Sequence, residues 1–558
     1  MDEEFDTILY LIDELKAEDH NTRLHAINSL EQIAEAIGDI RTRQELVPYI
    51  NELLEDDNQE VLLAIASKLG DLSNYVGGLD YLACLLPPLQ SLSRSEETVV
   101  QDKAVQSINK IAEQLPKNIL EEKISEVINN LSGSESYYGR VAACNLFHIP
   151  LSRLTSDKKA ELEIEFIKLA KDESSFVRKV AAENLGKILQ VYESKELMKL
   201  FDELRIDEYD SIRQMALESI TKLLKNHQEL LEHVKTFSND KSWRVRYAVL
   251  DHLQEIIELE NVIHDFLPEI LNLFQDSESE VRCIALKKLP LIFKSIPSHM
   301  VESQLFPTLE ILVKDSSLYV RLALMQSICQ ISPHLSSDIV ILKLLPLVTQ
   351  LLKDDNFEVR MGFAEHIQTF NGSLATDKIS LFSVPLLIQL MGDSQWRVRL
   401  KAVECLAQLG TILGKDEFNE HLATPLMKWI EDPVFAVREA VLEAANKLAI
   451  AFDGEWLRIY IMPLINVLSY SPAFNKRMTA LRIISKLGKY LDDNDCFLCL
   501  KTLSKDRVPN IRFNVAKTIK NLVESTTNRK DIMLLLDQLK NDTDMDVKYY
   551  AEDAVRAL

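Results

Sequence analysis

The chain has 558 residues, 47% of them hydrophobic, with a net charge of −23 and only 14 glycines. That length exceeds a single globular core, the acidity repels phosphate backbones and argues against general nucleic-acid binding, and scarce glycine disfavours sandwiches and barrels. Seven cysteines without small-domain spacing, no apolar run near the roughly 20 residues a bilayer requires, and an acidic start without a basic n-region give the expectation of a soluble protein of a reducing compartment, cytoplasmic and also nuclear, with no membrane and no nucleic acid as partner.

One skeleton recurs from end to end. An Asp is followed five and six residues later by Val-Arg, as in DSQWRVRLKAVECLAQL from Asp393 to Leu409. The Arg or its stand-in falls at Arg23, Leu62, Gln101, Arg140, Arg178, Arg213, Arg246, Arg282, Arg321, Arg360, Arg399, Arg438, Arg477, Arg512 and Lys548. A fixed period near 39 residues marks a helical repeat array. Repeats one to four keep 39 or 38, the next spacings shorten to between 33 and 36, and repeats eight to thirteen return to 39. The shortened units predict a local change of curvature, because each repeat sets its own rotation on its neighbour.

Each unit reads as two helices. In repeat 8, Phe266, Ile270, Leu271 and Phe274 share one face of the first, and Val281, Ile284, Ala285, Leu286 and Leu289 one face of the second. A proline stands 14 residues before the reference position at Pro48, Pro87, Pro268, Pro307, Pro346, Pro385 and Pro463, with Pro425 one residue closer. Lacking an N–H donor, it suits the first turn of the leading helix or a kink in it. The predicted fold is all-α, a solenoid of about fifteen helical hairpins over 1–558 with no linker or appended domain.

The register Asp is present in eleven repeats, from Asp56 to Asp542, and is replaced by Ser95, Ser134 and Ser471 in repeats 3, 4 and 13. In the turn before the second helix its carboxylate can accept orphan backbone N–H groups. The Arg sits in the first helical turn, a poor place for a cation on dipole grounds, so a partner is expected. An Asp of a neighbouring repeat gives a ladder of ion pairs along one edge.

Catalytic patterns are missing. There is no phosphate loop, HExxH or nucleophile elbow, no His-Glu pair recurs at repeat spacing, and no catalytic residue, metal site or cofactor is expected. Cys496 and Cys499 form a lone CxxC within a helix, read as core, and the acid pair Asp56 and Asp57 reads as capping and solvated turn. The turns themselves carry large apolar residues where polar ones belong: Tyr137, Tyr138, Phe176, Trp243, Trp396, Val434, Phe435, Phe474, Val508 and Met545. Aromatics beside Arg are the residue types of binding hot spots, so the row in repeats 11 to 15 predicts a protein-binding edge.

Several segments carry a closer resemblance: LIDELKAED, EVLLAIASKLG, CLLPPLQSL with EETVVQDKAV, DKSWRVRY, WRVRL, RMTAL, IRFNVAKTIKNL and DMDVKYYAEDAV. In order and over all fifteen repeats the chain resembles the scaffold (A) subunits of protein phosphatase 2A, a HEAT-repeat family. The resemblance implies a non-enzymatic right-handed superhelix bent into a horseshoe. With the catalytic subunit it would form a heterodimeric core enzyme, and with a variable (B-type) regulatory subunit in addition, a heterotrimer. It implies that 379–558, repeats 11–15, hold the catalytic subunit through Trp396, Arg397, Val434, Phe435, Phe474, Val508 and Met545. It implies that 1–300, repeats 1–8, hold the regulatory subunit through Glu97, Asp172, Phe176, Arg178, Trp243, Arg244 and Arg246, with 301–378 as repeats 9–10 between them. The chain departs from the family at Gln101, where Arg is common, and at Ser175 and Lys179, where Pro and a second Arg are usual. A nuclear-transport receptor, also an acidic α-solenoid, would carry Trp-Asn arrays that this sequence lacks.

Overall fold

The computed structural model describes residues 2–56, 58–257, 262–523 and 528–557, so Asp57 lies outside the described residues. Among these residues there are helices and turns but no strand, and their contacts group into two units, Met1–Leu273 and Phe274–Leu558. Each unit is a stack of helical hairpins in which second helices lie on second helices. In the first, Ser175–Val191 packs on Asp210–Leu223, and in the second, Leu318–Ile331 packs on Phe357–Phe370. All nine repeat-8 residues that the apolar spacing selects are buried.

The second helices carry a further link that the apolar pattern does not announce. Ser107, Ser219 and Ser327 each stand six residues after the reference position and donate to the carbonyls of Ala66 (2.6 Å), Ala182 (2.5 Å) and Leu286 (2.5 Å) in the preceding repeat. A buried hydroxyl needs such an acceptor, and the small side chain lets the two backbones approach.

The register proline stands in the first turn of an α-helical segment at Pro48, Pro87, Pro307, Pro346 and Pro385, as expected. Pro48, Pro307, Pro346 and Pro385 follow directly on wide π turns at Thr42–Leu46, Val301–Leu305, Val340–Leu344 and Ile379–Ser383. Proline removes one i→i−4 bond and its ring crowds the carbonyl a turn earlier, which the wider turn relieves. Leu120–Ile124 makes the same π turn with Glu126 at the proline register, so packing of the unit also favours it. The prolines Pro268 and Pro463 lie inside the helices Val262–Leu273 and Gly454–Ser469.

Candidate functional site: the turn edge

Stacked turns bring the Asp and Arg of successive repeats together. In the first unit the rungs include Arg23–Asp56, Arg140–Asp172, Arg178–Asp207 and Arg213–Asp240. In the second they include Arg282–Asp315, Arg321–Asp354, Arg360–Asp393, Arg399–Asp432, Arg477–Asp506 and Arg512–Asp542, and in all of these Nε lies 2.5–2.8 Å from Oδ2. Nη2 reaches the other carboxylate oxygen, as from Arg399 to Asp432 at 3.0 Å, which makes the pair bidentate. Nη1 turns back to the arginine's own turn, Arg399 donating to the carbonyls of Asp393 (2.8 Å) and Ser394 (3.1 Å). This answers the dipole objection, because the cation is held by a carboxylate and two carbonyls.

The aspartate caps differently from expectation. Its Oδ1 accepts the N–H two residues on, as from Ser174 to Asp172 at 2.8 Å, closing the turn before the helix rather than its first helical N–H groups. The ionic environment shifts both partners. The Asp315 hydrogen bond raises the Arg282 guanidinium further above its usual value, and the Arg512 hydrogen bond holds the Asp542 carboxyl below its own. For Asp354 and Asp393, burial pushes upward, but the pairing with Arg321 and Arg360, together with backbone N–H groups, outweighs it and leaves both lowered.

Outside the ladder runs the apolar edge. In the first unit rings pack on rings: Tyr137 lies 4.1 Å from Tyr138 and stacks on the exposed Phe176 at 5.4 Å. Arg178 lies 5.8 Å from the ring of Tyr209, an exposed aromatic that the sequence reading missed although it sits in the same turn, between Asp207 and Arg213. In the second unit the rings are flanked by cations. Arg397 lies 4.7 Å over half-buried Trp396, and Phe435, half exposed, has the Arg482 and Arg438 guanidinium carbons at 4.2 and 5.7 Å. Phe474 and Met545 are exposed, Val434 and Val508 half-buried. Trp243 repeats the Trp396 arrangement, with Arg244 at 4.9 Å and Tyr247 edge-on at 6.4 Å.

Of the other residues singled out above, Glu97 is exposed. Asp172 and Arg178 are rungs of the ladder, so their charges are engaged within the chain. Arg246 donates to the Asp240 carbonyl at 2.6 Å in the same register. Cys496 and Cys499 are buried, and burial pushes the Cys499 thiol above its usual value, which suppresses the reactive thiolate. Among the described residues no group of three His, Cys, Asp or Glu is disposed to hold a metal ion, and no helix is long and apolar enough to cross a membrane. A groove of ≈ 400 Å³ lined by Asp102, Asn109, Asn145, His148, Asn184 and Lys187 is polar, and its asparagines are spent on one another: Asn184 donates to the Asn145 side chain at 2.8 Å and Asn109 to the Asn145 carbonyl at 3.1 Å.

The HEAT repeat family model matches residues 165–192, from the end of the first helix through the second helix of repeat 5, and residues 384–413, within repeat 11. The chain is an all-α solenoid, and these two segments are similar to HEAT repeats. Its solved structural neighbours agree at the level of fold: Kap121p bound to Pho4p superposes with a TM-score of 0.61 at 15% identity, over 92% of this chain and 57% of that one. Kap95p in a RanGDP complex gives 0.56 at 14% identity, over 99% and 87%. Curated relatives are more specific. The chain is 43% identical over 198 residues to the A alpha isoform of the serine/threonine-protein phosphatase 2A 65 kDa regulatory subunit of Arabidopsis thaliana, covering 36% of this chain and 34% of the relative. It is 37% identical over 254 residues to the regulatory (A) subunit of protein phosphatase PP2A from Schizosaccharomyces pombe, 43% of each chain. It is 39% identical over 203 residues to the protein phosphatase 2A scaffold subunit of Dictyostelium discoideum, 36% and 35%. The matched stretches thus span between a third and a half of these relatives' length.

Proposed function

We propose that this protein is a non-catalytic scaffold of a protein phosphatase 2A-type serine/threonine phosphatase. It holds the catalytic subunit on the turns of repeats 11–15 through Trp396, Arg397, Val434, Phe435, Phe474, Val508 and Met545. A variable regulatory subunit sits on the N-terminal turns, around Glu97, Phe176, Trp243 and Arg244. The observation that carries this reading is the row of exposed or half-exposed large side chains along the turn edge, its rings set beside cations, in a chain similar to named phosphatase 2A subunits. Aromatic and arginine side chains on a rigid ridge make good anchors, because little conformational freedom is lost when they dock.

Mechanistically the scaffold acts by proximity. Two subunits held on one chain meet at an effective concentration set by geometry, so phosphoproteins recruited by one are presented to the other. Repeats contact only their neighbours, so the array can bend elastically to admit partners of different size.

Binding of the catalytic subunit to the wild-type chain and to Trp396→Ala tests the reading. Tight wild-type binding, weakened by at least about 2 kcal/mol on truncation, is the expected result. Absence of wild-type binding would overturn it.

A further inference from the structure

Each ladder guanidinium performs two tasks, and at the junction of repeats 12 and 13 one of them has no acceptor. Arg438 donates from Nη1 to the carbonyls of Asp432 (2.6 Å) and Pro433 (3.0 Å), as its counterparts do in their own turns. The position that supplies the carboxylate elsewhere is Ser471. Its hydroxyl takes over the aspartate's backbone task, accepting the Ala473 N–H at 3.3 Å. The turn around it keeps the ladder geometry, since Arg477 donates to the Ser471 and Pro472 carbonyls, both at 2.9 Å. Only the negative charge has gone.

Neighbouring acids do not replace it. Asp432 is bound by Arg399 at 2.7 Å, Glu431 by Lys476 at 2.5 Å, and Glu439 by Arg482 at 3.4 Å and Lys486 at 2.7 Å. Arg438 is half-buried, and among the described residues its Nε and Nη2 meet no acceptor. A partly desolvated cation without a counter-ion is costly in the free chain, and complementary charge supplied by a partner relieves that cost on binding. The exposed ring of Phe435 lies between Arg438 and Arg482 and forms the apolar floor beside the charge.

We propose that Arg438 receives a carboxylate in trans: an aspartate or glutamate on a loop of a protein partner, seated against Phe435, fills the rung that Ser471 leaves open. A carboxylate fits because Nε and Nη2 hold one, through its two oxygens, at the neighbouring rungs Arg399–Asp432 and Arg477–Asp506. The partner is the phosphatase catalytic subunit, so the inference rests on the function proposed above.

The test is a binding titration in which the catalytic subunit is added to wild type, Ser471→Asp, Ser471→Ala and Arg438→Gln, with thermal unfolding of each free chain. Ser471→Asp supplies the missing carboxylate from within. It raises the unfolding midpoint and weakens binding about tenfold, the equivalent of losing one charge-assisted contact. Ser471→Ala binds within about twofold of wild type, and Arg438→Gln weakens binding to the same degree as Ser471→Asp and lessens its salt dependence. Wild-type affinity in both Ser471→Asp and Arg438→Gln, each folded, overturns the docking role while leaving the scaffold reading intact. No binding by the wild type removes both.

Discussion

The ladder is interrupted in both units, and the two interruptions differ in kind. In Met1–Leu273 the rungs are lost as pairs: Leu62 registers against Ser95, and Gln101 against Ser134, so neither side carries charge. The Gln101 amide is buried and donates to the carbonyls of Ser93 (3.1 Å) and Tyr138 (2.7 Å), which leaves it satisfied by backbone alone. In Phe274–Leu558 only the acid is replaced, and Arg438 keeps its cation. A rung deleted whole is neutral and self-contained. A rung deleted by half leaves a charge that no carboxylate of the described chain answers.

The sharpest way to break this comparison is to make a half-rung where none exists. Arg399→Ala leaves Asp432, whose side chain is 0% exposed, as a buried carboxylate without its cation. Loss of about 3–5 kcal/mol is expected in denaturant unfolding, with amide exchange accelerated first in repeats 11 and 12. The intermediate case restores a whole rung: Gln101→Arg with Ser134→Asp should couple favourably by about 1–2 kcal/mol in a double-mutant cycle, whereas Ser134→Asp alone gains nothing. Additive effects of the two changes would show that the turns of repeats 3 and 4 do not share the ladder geometry.

The smallest effect at any one pair is its acid sensitivity. Asp542, Asp354 and Asp393 have folded-state values below the ordinary 3.8. A group depressed on folding stabilises the native state fully above its unfolded value and loses that contribution as pH falls through the folded one. The ladder should therefore weaken only below about pH 4, seen as a falling unfolding midpoint. Asp393→Asn should flatten that dependence, and Ser471→Ala should leave it unchanged, since the open rung has no carboxylate to titrate.

Much of this architecture was legible in the residue order. Apolar spacing selected the buried faces of repeat 8, and the unfavourable position of the Arg at a helix start demanded an acidic partner, which the turns supply. The proline register pointed to a first turn or a kink but not to the π turn before it, because a π turn depends on how the surrounding unit packs, as Leu120–Ile124 shows without any proline. The inter-repeat serines escaped notice since a Ser on a helix has many acceptors to choose from, and only stacking selects the carbonyl of the preceding repeat. Tyr209 escaped because it is the lone ring among the acids Asp207, Glu208 and Asp210.

By itself, then, the sequence determined the repeat, its hairpins, the pairing of ladder Arg with ladder Asp and the row of aromatics on the turns. All of these follow from period and from the chemistry each residue type requires. Only the tertiary structure decided which charges are spent and which are left over. Asp172 and Arg178 are committed to rungs, while Arg438 has only backbone carbonyls as acceptors among the described residues. The reason is physical: a rung joins residues 27 to 33 positions apart, and that distance is closed by the stacking of whole repeats, not by any local preference of the chain.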